Sequence, residues 1–430
     1  MKRNVFVIFV LVLMAMITSC NKEPQITPPT PTNEKKVPIV KIYTDGKAPV
    51  TDKKNYKPGT LVILDPDGTY WDTPKFEARM GIRGRGNSTW NMDKKPYKIK
   101  FDEKQSIFGY AADKEWVLLA NHADKSLLRN ITAMKLSEIV GMEWTPAMLS
   151  VEVYFNDEYL GCYTFSEHKK VSKARVNLDI VEESDNEGDA VTGDYYFEIE
   201  QFMDETTCWM TERCRIPMMF SDPEVPTPAQ LVYVMKYFAD TEDALMGDDF
   251  GDPEKGYAKW IDVDSFINAY FVNEITKNVD GNMRKSSFIT KKRGEKLAMY
   301  HVWDYDLTLG RGSIESEFFA TNGPEGWFIQ QCSYQEKYDP ANKSTNWYVR
   351  LFQDPGFRHK VKERWIEIYP ELLKVPDYID ENAEFIKGAQ SRNFVKWPIL
   401  SGTYQQEVDK VKDFYTKRVA WMNTEIMKYE

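Results

Sequence analysis

Residues 278–310 read NVDGNMRKSSFITKKRGEKLAMYHVWDYDLTLG, and the chain is organised around them. Asp280 sits in a polar loop, and Lys291–Glu295 is turn-like. The apolar run Leu297–Trp303 then reads as a buried strand. It ends on two carboxylates, Asp304 and Asp306. Buried carboxylates are costly unless something pairs with them. A divalent cation carrying phosphate would do so. A loop aspartate followed by a strand ending in a second aspartate is an arrangement that phosphoryl transfer uses: the first accepts a hydroxyl proton and the second holds the metal. The same residues also fit a plain turn between strands with Asp304 as a helix cap.

The 430 residues suggest two to three domains or one large two-lobed unit. Aromatics make up 14% of the chain, enough for a sizeable core. The net charge of −10 argues against a general nucleic-acid binder, whose affinity comes from Lys and Arg on phosphates. Residues 1–20 read as a targeting segment: Lys2 and Arg3, apolar Val5–Ile17, then Ile17-Thr18-Ser19-Cys20. That ending resembles the lipobox of bacterial lipoproteins, which implies that Cys20 is acylated and tethers the protein to a membrane. The expected location is the cell envelope, at the outer membrane or cell surface where the cell has one. An ordinary secretory signal is the alternative. Residues 21–37, rich in Pro and Thr, read as a spacer. Of Cys162, Cys208, Cys214 and Cys332, the second and third are close enough to clip a loop, or all are reduced thiols.

In chain order, Val37–Thr44 and Leu61–Leu64 read as strands. The segment Met80–Trp90 (MGIRGRGNSTW) reads as a short loop whose glycines and arginines suit an anion. Lys94–Phe101 reads as a strand, with Tyr97, Ile99 and Phe101 on one face and Lys98 and Lys100 on the other. Asp124 or Ser126 caps a helix over 125–140. Ser150–Phe155 and Tyr159–Phe165 alternate as strands, and Glu167 follows the second. Tyr195–Glu200 places Glu198 and Glu200 on one strand face, a weak glycosidase-like pair. Helices are expected at 228–246, 261–277, 347–352, 357–373, 378–388 and 404–429. The triplet Asp249-Phe250-Gly251 copies a kinase metal motif, but no buried strand precedes it.

Five blocks in order resemble the CotH kinase family, named for spore coat protein H. They are Arg83–Trp90 with Lys94–Lys100; Trp116–Asn121 with Leu127–Asn130; Gly161–Glu167 with Arg175–Asn177; Tyr195–Glu200; and Asn278–Asp280 with Val302–Asp306. The resemblance spans roughly 38–425. It implies an α+β chain with an atypical, diverged, two-lobed protein-kinase-like fold, β-rich first and helical after. The implied parts are an N-lobe over about 38–200, an insertion over 201–257 and a C-lobe over 258–430. It further implies ATP with Mg2+ or Mn2+, and phosphate transfer to Ser or Thr of a surface or envelope protein. Asp280 matches the catalytic-loop aspartate, and Asp304, with Asp306 beside it, the metal aspartate. Arg83, Arg85, Asn87, Ser88, Lys95 and Lys98 match the phosphate-binding region, and Glu167 a nucleotide-pocket position. One departure concerns the second metal ligand. Where kinase loops carry Asn, Lys285, Ser286 and Ser287 stand here, so Ser286 is the candidate ligand and Asn282 lies close to Asp280.

Two functions of different kinds follow. One is a membrane-tethered kinase outside the cytoplasm. The other is a catalytically weak, pseudokinase-like lipoprotein that binds a protein or glycan partner at the surface. Retention of Asp280 and Asp304 favours the first, and the missing Asn favours the second.

Overall fold

The computed structural model describes residues 36–70, 75–203, 207–281, 283–311, 323–331 and 346–430. The targeting segment with Cys20, and also Asn282 and Cys332, lie outside the described residues. The first half is strand and the second half mostly helix, as expected.

Seven strands come first: β1 (Ile39–Thr44), β2 (Lys57–Leu64), β3 (Lys75–Gly84), β4 (Tyr97–Gln105), β5 (Asp113–Leu119), β6 (Met148–Phe155) and β7 (Glu158–Glu167). They form a closed barrel in the order β1-β2-β3-β4-β5-β7-β6. Alternation drives each strand: in β4, Tyr97, Ile99 and Phe101 are buried while Lys98 and Lys100 point away. Closure comes from a parallel pair, with Ile39 of β1 opposite Glu152 of β6. Strand periodicity alone does not reveal that pairing, so the barrel is new information. It also corrects the reading of Met80–Trp90 as all loop. Met80–Gly84 belong to β3, where Met80 and Ile82 fill the barrel, and the loop begins at Arg85.

A second sheet has the order β12-β11-β8-β10-β9. It contains β8 (Tyr195–Glu200), β9 (Cys208–Met210), β10 (Pro217–Asp222), β11 (Lys285–Lys291) and β12 (Leu297–Val302). β8 therefore pairs with β10 and β11 and not with the barrel. Residues 201–257 supply β9, β10 and helix α2, below, to the same core. Cys162 and Cys214 are free, buried thiols, so Cys214 and Cys208 are not bridged.

The helices are α1 (Arg129–Val140), α2 (Pro228–Met246), α3 (Val263–Thr276), α4 (Trp347–Leu351), α5 (Pro355–Leu372), α6 (Val375–Phe385), α7 (Lys387–Lys396) and α8 (Tyr404–Ile426). Among the described residues none is long and apolar enough to cross a membrane. The expected cap by Asp124 or Ser126 on a helix from 125 is corrected. Helix α1 begins at Arg129 with Leu128 at its N-cap and no side-chain cap, because 124–128 form a turn in which Asp124 braces the first residue of the helix from outside. The Asp124 carboxylate accepts Arg129 N–H at 2.9 Å and pairs with the Arg129 guanidinium. Thr227 and Gln230 form a capping box on α2.

Helix α7 hooks the helical half onto the barrel. Arg392 grips Glu152 of β6 through two bonds of 2.7 Å. Trp397 Nε1 donates to Leu160 O of β7 at 2.8 Å. Asn393 Oδ1 accepts from Cys162 N at 3.1 Å and from Lys94 Nζ at 2.8 Å. Gly161 allows this approach: its φ is +118°, and a Cβ there would sit 2.5 Å from Asn393 Oδ1. Lys94 is fully buried, and burial pushes its ammonium down to about 7.

Since 10.5 is the ordinary lysine value, the unfolded chain holds the extra proton between about 7 and 10.5. Lys94 therefore makes stability rise with pH across that window, by at most about 1.4 kcal/mol per pH unit. Urea unfolding between about pH 7 and pH 9.5 should show this rise flattened in Lys94→Met relative to the parent. Equal slopes for the two proteins would refute the assignment.

Candidate active site

Helix α3 starts at Asp262, whose side chain accepts Asp264 N–H and Ser265 N–H. It ends at Lys277, in the left-handed region with φ 46°. The chain leaves this helix into Asn278 and Asp280, both buried. Asn278 Oδ1 accepts the Asp280 N–H at 3.1 Å. The Asp280 carboxylate is 2.9 Å from Lys285 Nζ and 3.5 Å from Arg284 Nη1.

Strand β12 emerges beside this loop. Its apolar run ends, as expected, at Trp303, and Asp304 turns the chain with φ 71°. That conformation is uncommon outside glycine, and Asp tolerates it better than most residues. Asn130 of α1 fixes the turn by accepting the Tyr305 N–H at 2.8 Å. Arg129 Nε holds Thr308 O at 2.8 Å. The Asp304 and Asp306 side chains have no hydrogen-bond or ion-pair partner among the described residues. Asp304 is exposed and Asp306 half-buried, yet poor solvation within the cleft raises both carboxyls. Asp280 raises Asp304 further, and Asp304 helps push Asp306 up to about 8.

Asp280, Asp304 and Asp306 line one cavity of about 300 Å3. Its other walls are the loop Arg85–Thr89, the segment Leu119–Ala123 after β5, Asn130, Lys169, Glu198, Glu200, Lys285 and Ser286. Arg85 lies 5.7 Å over the Trp303 ring. Burial lowers its affinity for the proton, and Asp304 and Asp306 pull it back. Ser286 enters the cavity because β11 bulges there: its register on β8 slips between Lys285 and Ser287, and Ser286 has φ 51°.

The structure thus gathers Asp280, Asp304, Asp306, Ser286, Arg85, Asn87 and Ser88. It places Arg83, Lys95, Lys98 and Glu167 elsewhere. Arg83 donates to Lys53 O and lies 5.0 Å over Tyr56. Lys95 Nζ donates to Trp90 O at 2.7 Å. Lys98 pairs with Glu115 at 2.7 Å. Glu167 accepts Ala147 N–H at 3.0 Å and faces Arg175 at 3.6 Å. These four brace the barrel wall and do not line the cavity. The Asp249 triplet sits on an exposed turn, with Asp249 3.3 Å from Lys255.

Sequence reasoning did not single out the cavity's own Lys–Glu pair. Lys169, just after β7, forms an ion pair with Glu198 of β8 and lies 4.3 Å over the Phe288 ring. The available signal was Glu198 itself. It lies within the aromatic strand Tyr195–Glu200, where a buried acid demands a cation. Among the described residues no group of three or more His, Cys, Asp or Glu stands ready to hold a metal. Two partnerless carboxyls beside a serine, Asp304 exposed and Asp306 half-buried, still fit a Mg2+-like ion, which usually takes one or two carboxylates and completes its shell with water and phosphate.

The family model described as CotH kinase protein matches residues 82–422. No curated protein matches the chain. The matched span contains every wall of the cavity, and the chain belongs to the CotH kinase family.

Proposed function

We propose that the chain is a metal-dependent, ATP-using protein kinase of two-lobed, kinase-like plan. In this reading the barrel forms one lobe, the helical part forms the other, and the cavity lies between them. The observation that carries it is the joint presence in that cavity of Asp280, the partnerless pair Asp304/Asp306 and the Lys169–Glu198 ion pair. These are the parts phosphoryl transfer needs: a proton acceptor, metal carboxylates and a phosphate-facing lysine held by an acid. Asp304 and Asp306, with Ser286, would hold Mg2+ or Mn2+. When bound, the metal–ATP complex supplies the electrophilic phosphorus and a neutralised leaving group. Lys169 and Arg85 would face the phosphates. Asp280, oriented by Lys285 and Arg284, would take the proton of an acceptor hydroxyl. The acceptor is a Ser or Thr of an envelope or surface protein, reached by a chain tethered through acylated Cys20.

A second reading keeps the cavity as a binding site for a protein or glycan partner without turnover. It is favoured by Ser286 standing where an Asn would be a stronger ligand. Labelled ATP with Mg2+ or Mn2+ separates the two readings. The full chain in detergent should label itself or a generic acceptor, and Asp304→Ala and Lys169→Met should each lose about 10²-fold or more. Absence of label, together with no shift in melting temperature on adding metal and ATP, would leave only the binding reading.

The raised carboxyls give a further expectation. An acid whose folded pKa lies above its unfolded value costs stability as pH rises between the two, here from 3.8 to about 8 for Asp306. In the metal-free chain at about pH 8, Asp306→Asn should therefore raise the melting temperature while lowering transfer. Loss of stability at that pH would contradict the solvation argument.

A further inference from the structure

Both aspartate loops converge on one side chain that no part of the proposed chemistry uses. Asn273 lies in the last turn of α3 and is buried. Its Nδ2 donates to Ala269 O, one turn back, at 3.0 Å, which fixes the rotamer against its own helix. Its Oδ1 is then aimed outward and accepts twice. Tyr305 Oη donates to it at 2.8 Å, and Asn278 Nδ2 donates at 3.1 Å. A carbonyl oxygen has two lone pairs, so this acceptor is fully used.

Each donor leads to one arm of the site. Tyr305 is the residue between Asp304 and Asp306. Asn278 holds the Asp280 N–H through its own Oδ1. A run of three side-chain hydrogen bonds therefore connects the proton acceptor to the metal-type pair, with Asn273 Oδ1 as its midpoint. Gly281 shows how tightly the backbone closes on that midpoint. A Cβ at residue 281 would fall 2.1 Å from Asn273 Oδ1 and 2.7 Å from Asn278 Nδ2. Any larger residue after Asp280 would push the bridge apart.

We propose that Asn273 is a positioning residue that sets the separation between Asp280 and the Asp304/Asp306 pair. The inference rests on the phosphotransfer reading. In-line transfer needs the acceptor oxygen, held at Asp280, aligned on a phosphorus held by metal at Asp304. A displacement of about 1 Å between the two arms costs on the order of 10²-fold. The backbone also joins the arms, since Lys285 N–H donates to Asp280 O at 3.2 Å, Ser287 of β11 pairs with Val302 of β12, and Leu309 N–H donates to Thr276 O at 3.0 Å. The bridge through Asn273 adds the side-chain connection that sets the fine alignment.

The test is a mutant cycle on the full chain, reading kcat and the KM for ATP with Mg2+. Asn278→Ala and Tyr305→Phe cut the two ends of the bridge. Each should lower kcat about 10-fold or more, with the KM for ATP changed by no more than about threefold in Asn278→Ala, since Asp280 faces the acceptor. The double variant should be no worse than the poorer single variant within about twofold, because a bridge cut once is already cut. Asn273→Ala should match it. Losses that multiply in the double variant would overturn the proposal, as would an Asn273→Ala protein with a lower melting temperature but parental kcat and KM. Should Asn273→Ala fail to fold, the comparison of Asn278→Ala, Tyr305→Phe and their double decides alone. If the parent chain itself neither transfers phosphate nor melts differently with Mg2+ and ATP, the phosphotransfer reading falls and takes this inference with it. Multiplying losses in an active parent remove only the bridge.

Discussion

Glu274 and Arg418 form an ion pair from which water is wholly excluded. Charges so placed must be met on every side, and the surrounding chain is arranged to do this. Glu274 accepts Phe328 N–H at 2.8 Å and Ile329 N–H at 2.7 Å. Arg418 donates to Pro324 O at 2.8 Å and Gly326 O at 2.7 Å, and to the Glu274 carbonyl as well. Trp327 and Trp421 cover the guanidinium at 5.9 and 4.9 Å. Helix α3, helix α8 and the segment 323–330 thus meet at one pair of charges. Removing either partner would strand the other in the core, a loss of about 3–5 kcal/mol in comparable cases. The pair fixes α3 from behind, and the helix can then present its last turn to the cavity in one orientation.

The cavity itself has the opposite character. The core satisfies its charges, whereas the cavity leaves Asp304 and Asp306 without partners and crowds them against Asp280. Arg85, Lys169 and Lys285 stand on the same walls and compensate in part. Groups whose proton affinities are displaced by both poor solvation and a like charge mark sites built to bind or react, although structural networks displace them too. What distinguishes this cluster from the structural networks at Glu115 or Asp124 is that those acids have found their cations inside the protein.

Most strands and helices were legible in the sequence because alternation and helical periodicity are local, whereas β3, β9, β10, β11 and α7 were not, their patterns being short or diluted by polar residues. Helix 228–246 and strand 195–200 follow the pattern to the residue. The barrel was not legible, since its closing pair joins Ile39 to Glu152 and no local signal encodes a parallel partner. The order of Asp280, Asp304 and Asp306 picked out three residues that the fold brings to one cavity. The basic residues did not sort themselves. Arg83 and Arg85 are two apart in a glycine-rich stretch, yet β3 continues through Gly84 and carries Arg83 away. Lys98 lies opposite Arg83 on β4 and found Glu115 across the sheet. Lys169 took the cavity position because β7 ends there and β8 brings Glu198 from another sheet. That contact depends on topology, which spacing cannot supply.

The hook of α7 on the barrel has a consequence for how the protein comes into being. Lys94 and its partner Asn393 are 299 positions apart. A chain emerging from its amino end can assemble strands β1–β7 early. The wall at Gly161 then stays open, with an ammonium and a backbone amide uncovered, until Asn393 has been made. Contacts so distant in sequence slow folding and prolong the exposure of unfinished surface. The barrel and the helical half therefore complete one another late and together, so a chain ending before residue 387 would leave the barrel wall unfinished.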